Sequence, residues 1–410
     1  MRILFLNPGG QLGGAETSLL AILASLRRAV PSWPLGLVAA AEGPLAAHAQ
    51  ALGVSVCLLP FPEALARAGE HGAAGERIRL VAQLGRAAVS VAAYGAQLRR
   101  EIRRFEPDVI HSNGIKMHVL AAGAARRPLI WHLHDYVGTR PVTAGLLRWS
   151  APRSVRIVAN SKSVSDDARA AIATNRDVRL VYNAVDLDRF SPCGDVADLD
   201  RLAGLPPAPP GTIRIGLVAT FARWKGHEVF LRAIARLADT VPCRAYVIGD
   251  ALYQTDGSQY QRHELQQMSA ALGLARRTGF TGFVLRSDAA LRALDIVVHA
   301  STEREPFGLA IAEAMACGRA VIVSQAGGAR ELVTAGVDAL VHTPGDVDEL
   351  ADRLAALSAD AELRTRLGAA ARATAEQRFA LDRLARELVP VYESLLQDYS
   401  RDSLRTLSRQ

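Results

Sequence analysis

The chain is poor in lysine, cysteine, aromatic residues and long apolar runs, and each shortage excludes something. Of its 48 basic residues only Lys116, Lys162 and Lys225 are lysines. So strong an arginine bias follows from coding composition, which singles out each lysine standing against it. Four cysteines (Cys57, Cys193, Cys243, Cys317) lie far apart, with no pair at metal-ligand spacing. That excludes a zinc ribbon or a disulfide framework and predicts free thiols in a reducing cytosol. Aromatics make up 5% of the residues, too few to interleave with the charge in a stacking platform, so no nucleic-acid partner is expected. No stretch approaches the roughly 18 apolar residues of a membrane span. Met1–Leu6 is too short and too weakly basic for a signal peptide. The chain reads as cytoplasmic.

What is present is a large apolar content. Half of the 410 residues are hydrophobic, 22% are charged, and the formal charge is +7. Length predicts two or three domains. Short apolar runs bounded by Gly, Pro, Asp or Asn recur at Arg2–Leu6, Leu35–Ala39, Val54–Leu58, Val109–His111, Leu129–His132, Arg156–Ala159 and Arg179–Val181. Helix-period segments separate them at Ala15–Arg28, Arg77–Arg104, Lys116–Ala125 and Ser163–Ala173. Such runs, apolar throughout rather than alternating, read as parallel strands buried on both faces. Ser191–Gly211, with five prolines, reads as a linker. A second strand series follows near Ile213–Val218, Arg244–Ile248, Thr278–Phe280, Ile296–His299, Ala320–Val323 and Ala339–Val341, then an almost wholly helical tail. The expected architecture is α/β: two Rossmann-type domains facing each other, with the ligand beyond the carboxyl ends of their strands.

Chemistry concentrates in "HASTEREPFGLAIAEAMACGRAVIVSQAGGARELV", His299 to Val333. Glu305 follows a buried strand; Pro306 and Gly308 open a helix that carries Glu313. The N–H groups that open this helix, near Phe307, Gly308 and Leu309, favour a phosphate. A helical path between the two glutamates would span roughly 12 Å, comparable to a hexose-to-ribose separation in a nucleotide sugar. A carboxylate accepts from two vicinal hydroxyls at once. Glu313 sits among Ile311, Ala312, Ala314, Met315 and Ala316, where a charge needs a partner.

The phrase E-P-F-G-L-x-x-x-E-A-M-A-C-G followed by G-G-x-x-E-L-V resembles the donor-site signature of retaining GT-B glycosyltransferases of the glycosyltransferase family 4 type. "EPDVIHSN", "ANSKSV", "VYNAVDLDRFSP", "FARWKGHEVFLRAI" and "GDVDELADRLAAL" are similar to family phrases in the family order. The resemblance implies a GT-B fold with a helical C-terminal tail. Its domains would be 1–187 for the acceptor, a linker at 188–211, 212–378 for the donor, and a tail at 379–410 packing back on the first domain. It implies that Glu313 binds the ribose, that Glu305 binds the transferred sugar, and that Phe307, Gly308 and Leu309 contact sugar and phosphate. Lys225 would neutralise the diphosphate. Where the family usually places an arginine on the diphosphate, five residues before this lysine, this chain has Thr220, with Arg223 as the candidate replacement.

By the same resemblance Gly13 and Gly14, in "NPGGQLGGAETSLL", form the loop opposite the donor. There missing side chains let backbone N–H groups approach anionic oxygens. The rival, a dinucleotide fold, needs G-x-G-x-x-G, which is absent; Glu42, ending the second strand, comes late for its acid. His132 and His134 in "IWHLHDY" lie at a strand end. His134 matches the family histidine that touches the transferred sugar, with Asp135 as a candidate to orient it. Asn183 and Asp186 match hinge positions. The D-x-D pairs Asp186/Asp188, Asp198/Asp200 and Asp346/Asp348 are read as structural, so no metal and no other cofactor is expected.

The implied reaction is retaining, metal-independent transfer of a hexose-type sugar from a UDP- or GDP-sugar to a carbohydrate or lipid-linked acceptor. Alternatives are hydrolysis or epimerisation of the nucleotide sugar, or binding without catalysis. The arginine-rich segment Glu76–Arg104 has two readings, a solvated helix packed on the sheet or a peripheral contact with the inner face of an anionic membrane.

Overall fold

A computed structural model of the chain describes residues 1–62, 76–124, 127–151, 155–172, 177–237, 241–251 and 257–407. It comprises two compact units, Met1–Ala184 with Leu381–Gln410, and Val185–Ala380.

The first unit is built on seven parallel strands: β1 (Ile3–Asn7), β2 (Leu35–Ala39), β3 (Ser55–Leu58), β4 (Val109–Asn113), β5 (Leu129–Leu133), β6 (Val155–Ala159) and β7 (Val178–Leu180). Their order is β3-β2-β1-β4-β5-β6-β7. Helices α1 (Gly14–Ala29), α2 (Pro44–Ala51), α3 (Glu76–Phe105), α4 (Ile115–Ala124), α5 (Pro141–Ser150) and α6 (Lys162–Ile172) connect them. Strand side chains alternate between two cores. Leu4 and Leu6 join Tyr94, Leu98, Ile102 and Trp131 on one face. Ile3 and Phe5 join Leu19, Ile22 and Leu23 on the other.

Tyr94, Leu98 and Ile102 of α3 are buried while Arg99, Arg100, Arg103 and Arg104 face solvent. This end of the arginine-rich segment is thus a helix packed on the sheet, its apolar side already spent. The arginines at 77, 79 and 86 lie outside the described side chains. No helix among the described residues is long and apolar enough to cross a membrane.

The second unit repeats the plan. Its strands are β8 (Ile213–Val218), β9 (Cys243–Ile248), β10 (Thr278–Gly282), β11 (Ile296–His299), β12 (Ala320–Ser324) and β13 (Leu340–His342). They lie parallel in the order β10-β9-β8-β11-β12-β13. Helices α7 (Leu199–Leu202), α8 (His227–Leu237), α9 (Arg262–Ala271), α10 (Ser287–Arg292), α11 (Leu309–Ala316), α12 (Val347–Ala359) and α13 (Ala361–Arg378) surround the sheet. The last helix, α14 (Leu381–Leu407), returns to the first unit. There Leu384, Leu388 and Tyr392 complete the core beside α1. Ser25 Oγ of α1 donates to the carbonyl of Leu381 at 2.6 Å and accepts from Ala385 N at 3.0 Å.

The stretch 188–211, read as a linker, belongs to the second unit instead. Asp200 of α7 pins it and is itself 4% exposed. Its carboxylate accepts from Tyr246 Oη at 2.6 Å, from Ala208 N at 2.9 Å and from Arg214 at 3.2 Å, and pairs with buried Arg244. Removing one partner from a buried ionic network leaves uncompensated charge. Asp200→Ala is therefore expected to cost about 3–5 kcal/mol, read as a lower urea midpoint for the second unit.

Both sheets reverse direction at one place, between β1 and β4 and between β8 and β11. In open α/β sheets such a switch point opens a crevice at the carboxyl ends of the strands. The polar residues discussed below gather at those two places.

Candidate active site

In the second unit β11 ends at His299, and the chain turns through Ser301 and Glu305 before entering α11. Glu305 is 6% exposed. Its backbone is held by the Gly327–Gly328 loop: the carbonyl accepts from Gly328 N at 2.7 Å, beside a bridge to Gly327. Its Oε2 accepts from Lys225 Nζ at 2.6 Å, Ser301 Oγ at 3.2 Å and His299 Nε2 at 3.1 Å. Burial pushes this carboxyl up, but Lys225 and His299 more than offset it and bring it down to about 2. A buried carboxylate kept charged by a lysine is an acceptor held in place by its partner.

Lys225 ends a short 3-10 turn, Arg223–Lys225, after β8. Gly226 follows at φ 75°, where a Cβ would overlap the carbonyl of Ala300. Only glycine fits, because the lysine loop is pressed against the end of β11. Thr302 N completes that contact, donating to the carbonyl of Trp224 at 2.8 Å. Lys225 Nζ lies 4.0 Å from the Trp224 ring centroid, which adds a cation–π contribution.

Gly308 precedes α11 at φ 98°, with Ile311 2.7 Å from where a Cβ would be. The helix begins at Leu309, so residues 305–308 bend and the helical rise does not apply across them. Phe307 turns its ring into the core, edge-on to Phe379 at 6.0 Å. The first N–H groups of α11 point out of the helix. Glu313 lies one turn further in and is partly exposed. Burial raises its carboxyl to about 7; Arg189 opposes this and Asp288 adds to it. Two glutamates eight positions apart thus have opposite character, one firmly ionised and one poised at neutrality.

Thr220 lies two residues beyond β8 and is partly buried. Arg223 stacks over Tyr260 at 4.3 Å, donates to the carbonyl of Gly257 at 2.9 Å and pairs with Glu264 at 3.4 Å.

In the first unit Gly13 caps α1, and its N–H is bonded to Glu16 Oε2 at 3.2 Å. That donor, expected to serve a ligand, serves the loop. Gly14 is the first, exposed residue of α1. His134 follows β5, and its Nε2 bonds Asn113 Oδ1. Asp135 does not orient it, because that carboxylate binds Tyr136 N at 2.8 Å and Arg140 at 2.8 Å. His132 is buried within β5, its Nδ1 at 3.2 Å from His111 Nε2. His111 in turn meets Tyr392 Oη at 2.7 Å. Asp186 caps its own turn, accepting from Asp188 N and Arg189 N. Asp198 and Asp346 cap α7 and α12, and Asp348 pairs with Arg236. Five of these six carboxylates, those of Asp186, Asp198, Asp200, Asp346 and Asp348, are spent on caps and ion pairs. Asn183 is buried beside them in the chain.

The sequence reading missed His299, Ser301, Asn7, Asn113 and Glu16. Polar residues closing apolar strands, as in "ILFLN" and "VIHSN", were the available signal.

Comparison with known proteins places these features. Residues 206–374 match the model described as Glycosyl transferases group 1, and residues 44–189 match Glycosyltransferase Family 4. The chain is 30% identical over 307 residues to the lipopolysaccharide core biosynthesis mannosyltransferase LpsB of Rhizobium meliloti, covering 68% of this chain and 83% of that one. It is 33% identical over 323 residues to a D-inositol 3-phosphate glycosyltransferase of Xylanimonas cellulosilytica, covering 72% and 74%. Among solved structures, Anabaena Alr3699/HepE in complex with UDP-glucose is similar with TM-score 0.78 at 27% identity, over 96% of this chain and 100% of that one.

Proposed function

Because this chain belongs to the GT-B glycosyltransferases of the family 4 type, we propose that it transfers a hexose-type sugar, with retention and without a metal, from a UDP- or GDP-sugar to an acceptor hydroxyl. The observation that carries this reading is the Lys225–Glu305 pair at the end of β11, beside the N-terminus of α11, with Glu313 one turn in. It supplies one carboxylate for each ring of a nucleotide sugar and cationic or N–H groups for the diphosphate between them. The UDP-glucose bound by the Anabaena relative supports a nucleotide-sugar donor.

In this reading residues 212–378 hold the donor. Glu313 accepts from the ribose hydroxyls, Glu305 from the transferred sugar, and the amides of Phe307, Gly308 and Leu309 face sugar and phosphate. An ammonium has three donors, so Lys225 keeps Glu305 and still reaches a diphosphate oxygen. The bond from the anomeric carbon to the diphosphate breaks as that carbon gains oxocarbenium character. The acceptor hydroxyl attacks from the same face, and its proton passes to the departing phosphate. Preorganised charge lowers the barrier. The first domain holds the acceptor, a carbohydrate or lipid-linked hydroxyl, with His134 against the sugar and the Gly13–Gly14 loop beside it.

Arg223 takes the place left by Thr220. Its contacts to Tyr260, Gly257 and Glu264 lie at an exposed site where such pairs are weak, so a diphosphate outcompetes them. Arg223→Ala is expected to weaken donor affinity about tenfold, measured by titration calorimetry; an unchanged value removes Arg223 from the site.

Incubation with labelled UDP- and GDP-sugars and an acceptor panel tests the reaction. A glycoside with the donor's anomeric configuration supports it. Inverted product, free sugar, an epimer, or binding without turnover each contradicts it. A peripheral membrane contact through Arg99, Arg100, Arg103 and Arg104 predicts co-sedimentation with anionic but not neutral vesicles.

A further inference from the structure

In the first unit a line of polar side chains runs from the opening loop to His134. Glu16 Oε2 accepts Gly13 N at 3.2 Å, and Glu16 Oε1 accepts from Asn7 Nδ2 at 3.1 Å. Asn7 Oδ1 accepts from Asn113 Nδ2 at 2.6 Å, and Asn113 Oδ1 meets His134 Nε2. Asn7 and Asn113 end β1 and β4, the two strands at the switch point, and both are buried.

Backbone carbonyls fix the polarity of this line. Asn7 Nδ2 also donates to Gly9 O at 2.8 Å, and Asn113 Nδ2 to Ala15 O at 3.4 Å. A carbonyl only accepts, so each amide is held one way round. Asn113 therefore presents oxygen to His134, and the ring must donate from Nε2. Burial lowers His134 to about 4. Around it, His132 stacks at 4.2 Å with His111 behind, His118 lies nearby, and Asp135 is paired with Arg140. None of these supplies a free negative charge to hold a cation. His134 Nδ1 has no hydrogen-bond partner among the described residues.

We propose that Asn113, Asn7 and Glu16 are positioning residues that lock His134 as the neutral Nε2–H tautomer, its one N–H consumed inside the protein. His134 then meets the sugar as a neutral ring, neither a cation nor a proton donor, and leaving-group charge falls to Lys225. The functional part rests on the reading that His134 touches substrate; the tautomer does not.

The test is a long-range proton–nitrogen spectrum of the full chain labelled with 15N-histidine, His134 being assigned by loss of its signals in His134→Gln. The expected result is an Nε2–H ring that does not titrate between about pH 6 and 8. In Asn113→Asp a carboxylate faces the ring and favours its charged form, so the His134 titration moves up by about one to two pH units and an acid limb enters the pH–rate profile. In Asn113→Ala an Nδ1–H population appears. An Nδ1–H ring or a near-neutral titration in the unmodified protein overturns the proposal, and that measurement needs no variant at Asn113 to fold. Full activity in His134→Gln would sink the substrate-contact reading alone, leaving the tautomer result standing.

Discussion

Replacing Lys225 with alanine is expected to lower kcat for sugar transfer on the order of 10²–10³-fold, the usual loss when one preorganised charge-stabilising donor is removed. Nζ lies 2.6 Å from Glu305, so the same substitution also strips a buried carboxylate of its counter-charge. A loss of about 3–5 kcal/mol in stability follows. The pH dependence separates the two effects. Glu305 is held at about 2 in the folded protein, below its unfolded range near 4.5. Its contribution is complete above about pH 4.5 and disappears as pH falls through about 2. Without Lys225, His299 alone opposes burial, so the carboxyl rises from that low value and this group's contribution shrinks. The variant therefore loses less stability than the unmodified protein as pH falls from about 7 to 3. Urea unfolding at about pH 3 and 7 reads that difference; identical pH profiles would remove the pair from the account. Lys225→Arg restores charge but not a point ammonium, and is expected to restore stability better than kcat.

The second large effect couples gain to loss. Glu313 has its carboxyl raised to about 7, so the folded chain binds a proton more tightly than the unfolded chain. Folding stability from this group is present below about pH 4.5 and is lost as pH rises through about 7. At pH 8 the protein carries a poorly solvated charge there. Glu313→Gln is thus expected to raise stability at pH 8 by about 1–3 kcal/mol, since each tenfold change in proton affinity is worth about 1.4 kcal/mol. At the same pH it lowers donor affinity about ten- to a hundredfold, because a charged acceptor for two hydroxyls becomes a neutral one. In the unmodified protein donor affinity falls below about pH 7, up to about tenfold for each step of one in pH. In the variant it is flat. A variant with lower stability and undiminished affinity would contradict both halves.

Much of this candidate site is legible in the sequence because its elements are local. Glu305, Gly308 and Glu313 fall within nine residues, and Lys225 stands out because lysine is rare. The strands were readable because parallel strands buried on both faces are unbroken apolar runs, as in Leu35–Ala39 and Ile296–His299. The apolar pattern ends β4 at His111, because Ser112 and Asn113 look like a loop; they belong to the strand because a switch point buries polar ends. Helix α2 was missed because "PLAAHAQA" is nearly uniform in polarity around its circumference. The five prolines of 191–211 disguised a segment docked through Asp200. The Asn7–Asn113–His134 line joins residues about a hundred positions apart, and no local pattern announces it.

The most direct test of the central claim is a crystal structure of the full chain with an intact UDP- or GDP-sugar. The account predicts the Glu313 carboxylate on the ribose hydroxyls, Glu305 on the transferred sugar and Lys225 Nζ on the diphosphate. A donor bound elsewhere, or one whose diphosphate lies away from Lys225 and the start of α11, would contradict it.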